Sequence, residues 1–448
     1  MPARSLAVLA SGAVTLAWLT LATGFAAEAA APSAPVDLGG ERLPGGDAST
    51  DAAAPTDLDP GLWQATLAPD YTQYFTYERR IKDSRVHVGV LGAPQGASSD
   101  GIRVVAEVED DGSTTTCGDE DDSAEYSVPQ AVIGAALVVG DESGSTGDTC
   151  RGAGTIAIQV TRGYGSPTTD LPYVIKVVEE APSAALPADA EPEDQPSYDV
   201  PEPVDASEVD GAASFEDAPE LDARDGAVTV STTMTEGTEV LWKVPLAWGD
   251  LPVVRVDVPW ATGGDEETFS SSGPDLTLHL VDPLRARLRY VASGSEDSST
   301  GQYRARPEDE TADGTVLVAS GFGVSQVNGR TPGDHWVSLA VAPPPEDRDP
   351  VDIPVEVTVQ VAPGDEAEPA YNSAVLSQDD GAGPEGYDPS EPFLVADGVF
   401  AAVASGNPVV ASDEDDAWLD GRRWAGLGIA ALSIACLAGG VVRLRARR

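Results

Sequence analysis

Apolar and polar residues alternate with period two over much of this chain. From Gly61 the runs LWQATL, YFTYE, RVHVGVL and IRVVAEVE follow one another. After an acidic, Ser/Thr-rich interval come AVIGAALVV, TIAIQV and YVIKVV. Short alternating runs broken by Gly, Pro, Asp and Ser predict antiparallel β-strands. No amphipathic helix is expected in this region.

The pattern then repeats. GAVTVSTTMTEGTEVLWKVPL matches GLWQATLAPDYTQYFTYERRI, placing Thr72, Tyr74 and Thr76 against Thr238, Val240 and Trp242. Val86, Val88 and Val90 fall against Val254, Val256 and Val258, and Ile102, Val104 and Ala106 against Leu276, Leu278 and Leu280. The ends agree as well: Asp170-Leu171-Pro172 precedes YVIKVV, and Asp352-Ile353-Pro354 precedes VEVTVQ. Order and spacing hold throughout, which indicates an internal duplication. Each copy is long enough to bury its own core, so the predicted fold is all-β, two tandem antiparallel β-sandwiches of jelly-roll-like type.

Outside these copies the texture changes. Residues 183–220 are acidic and Pro-rich with few apolar positions, and read as a disordered linker. Trp424 to Val442 carries no charge and is followed by Arg443, Arg445, Arg447 and Arg448. An apolar run of about 20 residues can span a bilayer as a helix, and the arginines behind it predict a cytoplasmic end. At the other terminus, Arg4 precedes the apolar stretch Leu6 to Ala27 and small residues that suit signal cleavage. The expected order is therefore signal peptide 1–29, flexible leader 30–55, first sandwich 56–182, linker 183–220, second sandwich 221–363, acidic stalk 364–421, and transmembrane helix with basic tail 422–448. The predicted location is a cell membrane, single-pass, with the N-terminus outside and the C-terminus cytoplasmic.

Composition narrows the partners. The net charge is −49, which repels phosphate backbones and argues against nucleic acid. Only Lys82, Lys176 and Lys243 supply lysine, while Ala, Gly, Pro and Arg abound, a bias typical of a GC-rich bacterial genome. Of three cysteines, Cys436 lies in the predicted span. Cys117 and Cys150 remain in the exported region, where disulfides persist, and are expected to bond.

Candidate chemistry is sparse. Asp111-Gly112-Ser113-Thr114-Thr115 has oxygen ligands spaced for a hard cation, but the second copy has Asp282-Pro283-Leu284 at that turn, and a hairpin accounts for both. Acidic clusters at Glu107, Glu109, Asp110 and Asp111, at Asp119–Asp122, at Asp265–Glu267 and at Asp413–Asp416 lack the spacing of a calcium loop. Solvated loops explain them, with calcium the one cofactor they would suit. His87, His279 and His335 share no zinc-like spacing, and no G-x-S-x-G marks a nucleophile elbow. Trp242 and Trp336 fall in strand patterns and are expected in the core. Trp63 stands in the first copy, and Trp248 and Trp260 flank LPVVRVDV near turns as surface candidates. Ala431, Ala435 and Gly439 form a small-residue stripe in the span.

The unit Gly237 to Lys243, Val253 to Val258, Asp275 to Pro283 and Val355 to Val361 resembles the pre-peptidase C-terminal type of β-sandwich. Over residues 56–363 the ordering is similar to that of actinobacterial envelope proteins. The resemblance implies a non-catalytic accessory module and carries over no catalytic residue. The expected function is a cell-surface binding or scaffolding protein, not an enzyme, whose partner is an envelope protein or cell-wall component. A calcium-dependent adhesin and an exported hydrolase or peptidase accessory are the alternatives.

Overall fold

The computed structural model describes residues 35–362, apart from 80–82, 96–99, 111, 125, 141–143, 164–166, 181–198, 248–249, 289–297, 309, 322–332 and 346. The first sandwich opens with β1 (Glu41–Arg42), β2 (Thr56–Leu58), β3 (Gly61–Leu67), β4 (Thr72–Glu78) and β5 (Arg85–Gly92). It continues through β6 (Gly101–Asp110), β7 (Ser113–Ser123), β8 (Ile133–Val139), α1 (Gly144–Gly152), β9 (Thr155–Arg162) and β10 (Leu171–Glu180). The second contains β11 (Ser207–Glu208), β12 (Val228–Thr235), β13 (Glu239–Leu246), β14 (Leu251–Pro259), α2 (Gly264–Thr268) and β15 (Asp275–Val281). It closes with β16 (Arg287–Leu288), β17 (Thr300–Gln302), β18 (Gly314–Ser320), β19 (Gly333–Val341) and β20 (Asp352–Ala362).

The sheet orders are β1-β3-β10-β5-β8 and β2-β4-β9-β6-β7, then β11-β12-β20-β14-β18 and β13-β19-β15-β16, with β17 also on β15. Strand for strand, β3-β10-β5-β8 corresponds to β12-β20-β14-β18, and β4-β9-β6 to β13-β19-β15. Register agrees too. Leu171 opposes Leu67 and Ile353 opposes Met234, while Val104 opposes Val160 and Leu278 opposes Leu339. The aligned valines and the Ile102 and Leu276 series are all buried, as inward positions of alternating strands must be. The duplicated all-β architecture is thus as the pattern predicts.

Buried clusters stack in order. Val88, Val104, Ile158 and Ile175 belong to the first sandwich's core. Trp242, Val256, Leu278 and Val357 belong to that of the second. Between them Leu62, Leu91, Val132 and Val174, on the outer face of the β3-β10-β5-β8 sheet, meet Leu241, Val281 and Trp336. The two sandwiches are therefore packed face to face as four layers. Strands at this joint are buried on both faces: every residue of β8 and all but the first of β5 are buried. By contrast β4, on an outer sheet, keeps strict alternation. Near-continuous apolar runs such as AVIGAALVV are the sequence trace of double burial.

Several segments differ from expectation. Residues 30–55, read as a flexible leader, contribute buried Val36, Leu38, Leu43 and Ala48, and β1 pairs in parallel with β3. In the expected linker 183–220, residues 199–220 are built into the fold. Phe215 is buried at the joint, β11 pairs with β12, and Ala212 and Glu220 bridge to Leu241 and Lys243 on the edge of β13. Acidic and Pro-rich composition is overridden because a few apolar residues find slots while the backbone satisfies a sheet edge. The acidic interval Asp119–Asp122 forms part of β7, an edge strand, where charge on the exposed positions is compatible with pairing on one side only. Cys150 lies in α1, a helix the pattern did not predict.

No helix among the described residues is long and apolar enough to cross a membrane. The expected signal peptide, stalk and transmembrane helix lie outside the described residues, as do Ala431, Ala435 and Gly439.

Candidate functional site, a polar cleft beside the joint

Two glycines make the joint possible. A Cβ on Gly89 would lie 1.7 Å from the Leu284 carbonyl oxygen, and one on Gly134 would lie 2.6 Å from that of Arg285. Both glycines face outward on the first sandwich, and the turn Asp282–Ala286 between β15 and β16 sits against them. That turn is tight: Arg285 N–H donates to the Asp282 carbonyl at 3.0 Å, and Ala286 N–H donates to Asp282 Oδ1 at 2.7 Å. Arg285 takes a left-handed φ of 71°, a conformation that costs a non-glycine residue about 1–2 kcal/mol. Its guanidinium lies 4.3 Å from the ring centres of both Phe215 and Trp336, and Trp336 Nε1–H donates to the Phe215 carbonyl at 3.0 Å. Phe215, from the expected linker, thus locks the docking turn. Cation–π contact offsets part of the cost of burying this cation.

Burial shapes the charges here. Desolvation pushes Arg285 down to about 9, opposed by Glu216, Asp282 and Asp334. Lys176, on the outer face of β10, is fully buried; desolvation, then Arg285, hold its amine well below the lysine range. Asp282 is pushed up to about 7 by burial. Glu239, on β13, accepts from Ser338 Oγ at 2.5 Å and from Val132 N–H across the joint at 3.1 Å. Desolvation outweighs these bonds and raises its carboxyl to about 7.

At one side of the joint a cleft of about 440 Å³ opens between the sandwiches. Asp121 and Asp122 of β7 line it from one side; His279, Arg287, Ser299 and Ser320 line it from the other. Arg287 Nη2 donates to Asp122 Oδ1 at 2.5 Å and to the Ser123 carbonyl at 2.9 Å. Asp122 also accepts from Gly134 N–H at 2.8 Å, and burial raises its carboxyl despite Arg287. His279 Nε2 lies 3.1 Å from both Arg287 Nη1 and Thr277 Oγ1. Desolvation, then Arg287, hold this imidazole well below its usual range, so it is neutral and Nε2 accepts. The arrangement offers hydrogen-bond donors and acceptors of both signs.

The other candidates from sequence are placed as follows. Cys117 and Cys150 form a disulfide with Cα atoms 5.8 Å apart, inside the first core. Asp111 is outside the described residues; Asp110 pairs with Ser113 around Gly112, so the motif spans a two-residue hairpin turn. Asp282-Pro283-Leu284 serves docking. Glu107 bonds Gln159 at 2.8 Å, and Asp119 pairs with Arg103 at the surface. Asp265, Glu266 and Glu267 occupy the first turn of α2. Among the described residues no group of three His, Cys, Asp or Glu could hold a metal ion. His87 lies 2.7 Å from Glu180, and His335 is buried with its pKa driven to about 4 by desolvation. Trp242 is in the second core, whereas Trp336 is in the joint. Trp260 Nε1–H donates to the Ala312 carbonyl and Trp63 Nε1–H to that of Asp59, while Trp248 lies outside the described residues. The joint residues Gly89, Gly134, Lys176, Glu239 and Arg285 had no signal in the alternation; the apolar character of both faces of AVIGAALVV was the one available trace.

No protein-family pattern matches the sequence, and no curated protein matches it. Solved structures that align with it include the triple jelly-roll protein of an archaeal virus turret, at 10% identity and TM-score 0.15 over 67% of this chain and 58% of that one. The chain thus spans a little over half of that protein's length. The tandem CBM22-1–CBM22-2 domains of Paenibacillus barcinonensis Xyn10C align at 12% identity and TM-score 0.20, over 74% and 99%. Tripeptidyl peptidase 2 aligns at 7% identity and TM-score 0.20, over 71% of this chain and 24% of that one. Likenesses this distant carry no argument about activity.

Proposed function

We propose that this chain is a non-catalytic binding or scaffolding component of a bacterial envelope, held at the outer face of the cell membrane by the C-terminal segment Trp424–Val442. The observation that carries the reading is the face-to-face joint. Burying sheet against sheet, with Arg285 clamped between Phe215 and Trp336, makes one stiff four-layer body of two modules. A stiff body with a fixed orientation suits the display of a surface to a partner. In support, the buried polar groups at the joint bind one another across it, as Asp122–Arg287 and Glu239–Val132 do.

The test is affinity capture of the full chain from its host's membranes, with wild type and Gly89→Ala compared. A partner retained by wild type and lost on the variant supports the reading. Labelling of the wild-type chain by serine-reactive hydrolase probes, or equal capture by both chains, overturns it. For the anchor, a reporter after Arg448 is expected to be active only in the cytoplasm, and one near Gly364 only outside.

A further inference from the structure

We propose that the two sandwiches are joined covalently, by an isopeptide bond that forms between the Lys176 amine of β10 and the Asp282 carboxyl of the docking turn. The proposal goes beyond the binding-protein reading and does not depend on it.

The sheets bring these two residues together. On β10, Lys176 stands between Leu62 of β3 and Gly89 of β5, its register partners. Directly opposed residues of antiparallel strands share one face, about 5 Å apart. Gly89 has no side chain there, and the Leu284 carbonyl takes up the place of its Cβ. The Lys176 side chain therefore rises from the sheet beside the turn Asp282–Ala286. The charges that act on its amine, Arg285, Asp282 and Asp334, all belong to the second sandwich.

Neither group has a partner for its reactive atom. Both residues are fully buried, and among the described residues Lys176 Nζ and Asp282 Oδ2 have no hydrogen-bond partner. Two such groups left unmatched in the interior are costly, and condensation replaces them with one neutral amide. Burial also selects the reactive forms. Desolvation, then Arg285, keep the amine neutral and nucleophilic. Desolvation raises the Asp282 carboxyl to about 7, so that it retains the proton with which an oxygen leaves.

The other carboxyl oxygen is already held. Ala286 N–H donates to Asp282 Oδ1 at 2.7 Å, and Leu284 N–H bonds the same carboxyl. Fixed backbone donors stabilise the negative charge that this oxygen gains as nitrogen adds to Cγ. The Arg285 guanidinium, whose Nε and Nη1 have no partner among the described residues, adds a positive charge near it. In the balanced step the Nζ lone pair forms a bond to Cγ, and the Cγ–Oδ2 bond breaks. Oδ2 leaves as water, with its own proton and one from Nζ, while the second Nζ proton stays on the amide. Nothing is oxidised or reduced, and no co-reactant is required. The product ties β10 of one sandwich to the β15–β16 turn of the other, so a pull that parts the modules loads a covalent bond.

Tryptic mapping of the full chain by mass spectrometry tests this. Trypsin does not cut at an acylated lysine. Wild type is therefore expected to yield peptide 163–224 joined to peptide 256–285, lighter by one water than the two together. Lys176→Met and Asp282→Ala are each expected to lose the joined species completely. The wild-type map decides even where a variant does not fold: cleavage after Lys176 together with a free 256–285 peptide overturns the proposal. A joined species that survives in Asp282→Ala overturns it as well. Either result leaves capture of a partner, and so the scaffolding reading, untouched.

Discussion

Gly89 of the first sandwich lies directly under the Leu284 carbonyl of the second, with no room for a Cβ between them. The joint therefore depends on an absent side chain. Backbone on one side cannot move aside as a flexible side chain would. Gly89→Ala is expected to destabilise the chain by about 1–3 kcal/mol, the usual cost of overpacking, or to part the two sandwiches. Hydrogen exchange would read it: protection should fall at Val132, Val174 and Leu241 while inner-core amides such as Val104 stay protected. Unchanged protection at the joint would show that the two backbones do not meet as described.

The disulfide joins residues separated by 33 positions. In the chain-entropy model, closing a loop of that size stabilises by roughly 3–4 kcal/mol. The Cys117→Ser/Cys150→Ser variant should therefore melt at lower temperature. Because the joint buries sheet against sheet, the whole body is expected to melt in one lowered transition. Calorimetry that showed the first sandwich melting early and the second unchanged would mean the joint does not couple them.

Glu239 makes stability depend on pH. Its carboxyl titrates at about 7 in the folded chain against 4.5 when exposed. The folded state thus holds a proton that the unfolded state has released. Stability from this group is full below pH 4.5 and is lost as pH rises to 7, by about 3 kcal/mol in all. His335, depressed to about 4, acts in the opposite sense, losing stability as pH falls below 6.5. Comparing wild type with Glu239→Gln cancels the histidine. Wild type should gain on the variant between pH 7 and 4.5, as read by urea denaturation at each pH; a flat difference would refute the assignment.

Asp122 and Arg287 form a buried pair across the joint, at 3% and 11% side-chain exposure. Removing one partner of such a pair strands the other charge and costs about 3–5 kcal/mol. Arg287→Met should show a loss of that order. Adding Asp122→Asn removes the stranded charge while keeping an acceptor for Gly134 N–H, and should recover part of it. A double variant no more stable than the single would exclude charge stranding as the cause.

Much of this molecule was written in local pattern. Strands follow from period-two alternation, since inward and outward positions alternate physically along an extended chain. The duplication was legible because Val86, Val88 and Val90 and their counterparts Val254, Val256 and Val258 must all face a core. The Cys117–Cys150 bond was legible by elimination, with Cys436 set in a predicted span. What pattern could not reveal is which outer face meets another sheet. His87 and His279 sit opposite the valines and leucines, where alternation suggests water, yet both are buried, His87 against Glu180 and His279 against Arg287 beside the cleft between the sandwiches. Likewise, Phe215 stands alone in an acidic segment, and residues far along the chain, Trp336 and Arg285 among them, give it a place. Alternation within one strand reports the burial of that strand's inner face. Burial of the outer face, and the cleft beside it, is decided by surfaces that meet only after each sandwich has folded.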